Sequence, residues 1–151
     1  METSVIVQFR DLGMTAAIAF AAMGSAMGTG VAAMSAIGAW KKCYAQNKTA
    51  PFILVALVGL PLSQTIYGMI LMGAIEAAAA KGIYCWSSGI LAGMAIGASA
   101  MMQGKAGANA ADAMGETGKG FTNYIMALGI IESVALFVMV FVMMKVNALA
   151  A

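Results

Sequence analysis

The amino-acid sequence predicts an all-α membrane protein of four transmembrane helices, arranged as two tandem helical hairpins. Three observations predict it. The 151 residues are 62% hydrophobic and only 9% charged, with a mean hydropathy of +0.91, whereas an ordinary soluble domain is about a quarter charged. The charges fall so as to leave four long windows, each able to supply the roughly 20 apolar residues a bilayer-crossing helix needs. The linkers between the windows are short and polar, which makes consecutive helices antiparallel neighbours.

The same composition removes whole classes of chemistry. There is no His, so imidazole acid–base catalysis and His-ligated metals are excluded. Cys43 and Cys85 form no CxxC pair or zinc-like cluster. A net charge of +2, with no basic block longer than Lys41–Lys42, is too small for a nucleic-acid footprint.

The first window holds 29 uncharged residues between Asp11 and Lys41. It is too long for the 7–15-residue apolar core of a signal peptide, and a second span follows closely. The second holds 27 between Lys48 and Glu76, and the third 23 between Lys81 and Lys105. The fourth, between Lys119 and Lys145, holds 25, of which only Glu132 is charged. The expected linkers are residues 40–49, 77–84 and 112–119. Lys41, Lys42 and Lys48 place the first linker in the cytoplasm by the positive-inside rule. The third linker then joins it, and both termini face outward. Cys43 and Cys85 flank the second helix, about 40 Å apart on opposite membrane faces, too far for a disulfide.

A weak internal repeat divides the chain into a first hairpin, residues 1–80, and a second, residues 81–151. Met23–Gly30 corresponds to Met101–Gly107, pairing Ser25 with Gln103, and Gln64 falls where Glu132 falls, each followed by a hydroxyl residue. Helices 1 and 3 are rich in small residues, with GxxxG spacings at Gly24/Gly28 and Gly93/Gly97. Helices 2 and 4 carry Leu, Ile, Val, Phe and Met. Small residues let helix backbones approach in lipid, so helices 1 and 3 are expected to form an inner layer and helices 2 and 4 an outer one.

Glu132 carries the functional argument. It is the midpoint of residues 120–144, which puts a carboxylate about 18 Å from either end of its helix. Such a placement costs about 2.5–3.5 kcal/mol on insertion scales and marks a functional site by default. With the third turn centred near residue 116 or 117, Gln103 lies at similar depth. Ser63, Gln64 and Tyr67 cluster just beyond Pro61 in helix 2. Pro61 has no N–H, so the Leu57 carbonyl loses its helical partner and the helix should bend. One carboxylate, two amide carbonyls, a hydroxyl and a loosened carbonyl make an oxygen set suited to a hard cation, where a proton would need fewer partners. Trp40 and Trp86 read as interfacial belts, Lys105 as a snorkelling side chain, Arg10 and Asp11 as flanks of helix 1, and the fifteen Met as adaptable packing.

The segments Leu60-Pro-Leu-Ser-Gln-Thr-Ile-Tyr-Gly68, Met102-Gln-Gly-Lys105 and Gly129-Ile-Ile-Glu-Ser133 resemble the duplicated proteolipid of V-type (and A/V-type) ATPases, the c or K component of the rotor ring, of the sodium-binding type. The resemblance covers nearly the whole chain. It implies a ring of identical subunits in which Glu132 is the ion-binding carboxylate. It further implies Gln103, Gln64, Ser63 and the Leu60 carbonyl as Na+ ligands, and Tyr67 as the group that orients the carboxylate. Ser63 stands where the sodium pattern usually has Thr, and the ligand oxygen survives that change. Gln64 stands where an unduplicated proteolipid keeps its own acid, so one carboxylate serves two hairpins. By the same resemblance the partners are a stator membrane protein bearing a positive residue and central-stalk proteins at the cytoplasmic linkers, in a bilayer that would be a bacterial cell membrane. The chain would not be catalytic alone, and its cargo would be Na+ or, alternatively, H+. A small four-helix cation/drug antiporter also has one membrane carboxylate, but generally in its first helix, and helix 1 here is uncharged between Asp11 and Lys41.

Overall fold

A computed structural model describes residues 2–151, with the side chains of Val5 and of residues 11–151. It contains α1 (Glu2–Ala45), α2 (Leu54–Gly59), a 3-10 turn (Leu60–Leu62), α3 (Ser63–Ala80), α4 (Trp86–Thr117) and α5 (Phe121–Leu149). No strand occurs among the described residues. α2, the 3-10 turn and α3 follow one another without a gap and form a single bent rod, so the chain makes four rods. Asp11–Ala45, Leu54–Ala80 and Phe121–Leu149 are long and apolar enough to cross a membrane. α4 is not among them, although its 32 residues reach about 48 Å. Its Gly, Ala and Ser face another helix backbone where the outer rods present large apolar side chains.

The polar linkers are shorter than the sequence suggests. α1 continues through residues 40–45 and α4 through residues 112–117. Polar residues alone do not end a helix; a change of backbone conformation does. α4 stops where Gly118 turns to φ +66° and donates its N–H to the Met114 carbonyl at 2.8 Å. The third turn is therefore centred on Lys119, two or three residues beyond its expected place. Asp11 and Arg10, whose side chain lies outside the described residues, fall inside α1 and do not flank it.

α1 and α4 run parallel and in contact along their length. Gly89 meets Gly13, Gly93 meets Ala16 and Ala17, Gly97 meets Phe20 and Gly24, Gly104 meets Gly28, and Gly115 meets Ala39. At Gly24, Gly89, Gly97 and Gly104 a Cβ would overlap the partner's backbone. This is the inner layer expected from the small-residue pattern. α3 packs on α1, α5 on α4, and α3 and α5 on each other, forming the second layer.

Two apolar clusters fill the interior. One gathers Ala17, Ala21, Leu71, Ile75, Ala92, Ile96, Ala135 and Met139. The other gathers Ala36, Ala39, Leu54, Leu57, Ala111, Met114 and Leu128. Beside the second cluster the first and third linkers come together. Lys42 Nζ lies 2.8 Å from Asp112 Oδ1 and 3.1 Å from Glu116 Oε1, Ser35 Oγ donates to the Ala108 carbonyl at 2.6 Å, and Trp40 Nε1 donates to the Pro51 carbonyl at 2.9 Å. At the other end Lys81 Nζ donates to the Ala150 carbonyl at 2.7 Å. Cys43 and Cys85 sit at opposite ends, and both thiols are free and buried.

Two outcomes are expected. Gly97→Val or Gly104→Val should abolish the folded, detergent-stable protein, because the obstacle is backbone and exceeds the ~1–3 kcal/mol of ordinary overpacking. Gly73→Ala, where nothing lies within 4 Å of the new methyl, should leave its thermal unfolding midpoint within a few degrees of wild type. Both native thiols should resist a membrane-impermeant maleimide. Lys48→Cys and Lys119→Cys should react from one side of sealed vesicles and Ala80→Cys from the other. Reaction of all three from one side would overturn the topology.

Candidate ion site between the hairpins

Ser63, Gln64, Tyr67, Gln103 and Glu132 meet between the two apolar clusters, where the 3-10 turn of the second rod faces α4 and α5. Pro61 lacks the N–H that would continue α2, and the chain tightens into the 3-10 turn before resuming at Ser63. The disturbance expected at Pro61 takes the form of this 3-10 turn. The Leu57 carbonyl is turned toward Gly107 of α4, where a Cβ would stand only 3.0 Å from its oxygen. The turn also exposes the Leu60 carbonyl, which accepts hydrogen bonds from the Ser63 backbone N–H and, at 3.0 Å, from Ser63 Oγ.

Glu132, half-buried on α5, draws on two other rods. Ser63 Oγ and Tyr67 OH both donate to Oε1, the latter at 2.9 Å. Gln103 Nε2 reaches Oε2 at 3.3 Å and the Leu128 carbonyl at 3.0 Å. Gln64 Nε2 donates to Gln103 Oε1 at 2.8 Å, and both glutamines are fully buried. All six residues singled out in the sequence, Leu60, Ser63, Gln64, Tyr67, Gln103 and Glu132, are brought into one network. Gln103 and Glu132 lie 16 and 13 residues from the true turn centre. They thus stand three residues apart in depth, about 4.5 Å of rise, which two long side chains bridge.

The network is rich in acceptors. Ser63 Oγ has one hydrogen, yet faces the Leu60 carbonyl, Gln64 Oε1 at 3.2 Å and Glu132 Oε1. One hydroxyl proton cannot serve three oxygens, so the cluster has acceptor capacity to spare and can accept a positive species. Three of the five expected ligand oxygens gather around a fourth, Ser63 Oγ. The fifth, Gln103 Oε1, is turned to Gln64, and Gln103 presents its nitrogen to the carboxylate. Among the described residues no three His, Cys, Asp or Glu side chains come together. A single carboxylate neutralises one positive charge, so the site suits a proton or a monovalent cation; a divalent ion would keep a net charge in hydrocarbon.

The remaining polar groups stay outside this network. Lys105 is exposed on α4. Ser99, which the sequence does not distinguish from the other small residues of α4, donates to the Ile131 carbonyl at 2.9 Å.

Residues 86–144 match the family model of the ATP synthase C subunit. No curated protein matches the chain. The matched segment is α4 and most of α5, and it includes Gln103 and Glu132. Members of that family are helical-hairpin proteins of the membrane that form oligomeric rings and contact a stator. They bind and translocate ions and are not catalytic on their own. Through its second hairpin, then, this integral membrane protein is similar to the ion-translocating rotor-ring proteins of ATP synthase-type complexes.

Proposed function

We propose that the chain is the c or K component of the rotor ring of a V-type ATPase, and that it carries Na+ across the membrane on Glu132 during ATP-driven rotation. The oxygen cluster around Ser63 Oγ is the observation that carries the reading. Oxygens about 3 Å apart have the spacing of neighbouring ligands around a hard cation held at roughly 2.4 Å. The ligands are then Glu132, Ser63, Gln64, the Leu60 carbonyl and Gln103, the last after its amide turns to present oxygen. Tyr67 holds the carboxylate from outside the ligand set.

Charge sets the mechanism. A loaded site is neutral and can face lipid as the ring turns. An unloaded carboxylate cannot, so it must meet water or a positive residue on a stator protein. Hairpins 1–80 and 81–151 share one carriage site, because Gln64 replaces the acid a second site would need. The central stalk would dock where residues 41–48 and 112–119 come together, and the host membrane would be a bacterial cell membrane. One observation favours a second reading, in which the cargo is H+. Gln103 turns its nitrogen to Glu132, an arrangement that a protonation cycle uses without change.

Glu132→Gln keeps the shape and removes the charge. Ion transport should stop while the ring still assembles; pumping by that variant would sink the assignment. Cargo identity is read from dicyclohexylcarbodiimide, which attacks protonated carboxyls. Added Na+, but not K+, should protect Glu132 at fixed pH, and Ser63→Ala or Gln103→Ala should raise the protecting concentration about tenfold, or ~1.4 kcal/mol. Protection should weaken as pH falls, because proton and cation compete for one carboxylate. Equal effects of Na+ and K+ would favour the proton.

A further inference from the structure

Two hydrogen bonds tie the backbone of α5 to side chains of α4 in the turn that leads into Glu132. Gln103 Nε2 donates to the Leu128 carbonyl at 3.0 Å, and Ser99 Oγ donates to the Ile131 carbonyl at 2.9 Å. Ser99 and Gln103 stand one turn apart on the same face of α4, and both are buried. Leu128 and Ile131 are likewise about one turn apart on α5, and Ile131 immediately precedes the carboxylate residue.

The two ties differ in what else they do. The amide nitrogen of Gln103 also holds Glu132 Oε2, and its oxygen accepts from Gln64. When a cation is bound, that nitrogen must turn away from it, and the tie to Leu128 is broken or remade. Ser99 has a single polar group, directed at a backbone carbonyl and not at the carboxylate, so binding and release leave its hydrogen bond intact. We propose that Ser99 is a positioning residue for the ion site: its hydroxyl holds α5 against α4 at Ile131 and keeps the Glu132 carboxylate at Ser63 and Tyr67 whichever way the Gln103 amide is turned. This rests on the cation-carrying reading above. A cation held by several oxygens demands the carboxylate at a fixed distance from all of them, whereas protonation demands only the carboxylate. Loss of Ser99 therefore weakens cation binding more than it moves the protonation of Glu132.

The experiment uses the purified intact ring and carbodiimide labelling of Glu132, followed against Na+ concentration at fixed pH and against pH without Na+. Ser99→Ala should raise the protecting Na+ midpoint about three- to tenfold, the weight of one lost hydrogen bond, and move the pH midpoint less. Ser99→Thr, which keeps the hydroxyl, should stay at the wild-type value. Ser133→Ala should also leave both midpoints unchanged, since that hydroxyl only bonds the Ile130 carbonyl of its own helix. If Ser99→Ala rings do not assemble, Ser99→Cys, a weaker donor of similar size, gives the same comparison. A variant ring that dissociates at lower temperature with both midpoints unchanged has lost only packing, and that result overturns the positioning role. Wild-type rings without Na+-specific protection overturn the cation reading, and the affinity role of Ser99 falls with it.

Discussion

A carboxylate inside a hydrocarbon layer is the constraint to which the rest of this molecule answers. Placing Glu132 midway along an otherwise apolar helix costs about 2.5–3.5 kcal/mol on insertion scales. A hydrogen bond to a charged group is worth ~1.5–3 kcal/mol, so one or two good donors are of the size needed to hold it there. The structure supplies them from two other rods: Ser63 and Tyr67 from α3, and Gln103 from α4. The donors are polar groups that themselves need partners, and Gln64, the Leu60 carbonyl and the Leu128 carbonyl provide these. What results is a closed polar cluster with apolar packing above and below it.

Two backbone devices make the cluster geometrically possible. Pro61 interrupts the second rod, and the 3-10 turn it forces brings Leu60, Ser63 and Gln64 together at one level. The glycine contacts between α1 and α4 bring those helices to backbone contact, so that Gln103, adjacent to Gly104 in that seam, lies close enough to reach both α3 and α5. In lipid no hydrophobic effect drives helices together, and close approach of small residues is the main source of attraction. The Lys42 ion pairs at the linker end are half-exposed and contribute little by comparison. Stability and function therefore share a source. The stripe that holds the two hairpins together also sets the depth and spacing of the polar groups around Glu132.

Much of this was legible in the amino-acid sequence because membranes simplify the rules. Charge spacing marked the four rods, small-residue density separated α1 and α4 from the outer rods, and the position of Glu132 singled out the carboxylate. Ser63, Gln64, Tyr67 and Gln103 stood out because polar side chains are rare at that depth. Helix ends were less legible. The linkers were set by polarity, whereas the helices continue until Ala45 and Thr117, and Gly118 ends α4 by its left-handed conformation.

Composition and spacing by themselves determined that this chain is an all-α membrane protein with a lone carboxylate, Glu132, midway along its last apolar window, because the cost of burying charge in lipid falls residue by residue and is visible in a string. The parallel register of α1 and α4, the burial of both thiols, the orientation of the Gln103 amide and the tie from Ser99 to the Ile131 carbonyl were decided only in three dimensions. These are relations between helices, and a serine in a small-residue stripe looks like its neighbours until the backbone opposite it is known. Hydrogen bonds to backbone carbonyls are invisible to sequence because every residue has one, and only packing selects which of them a side chain meets.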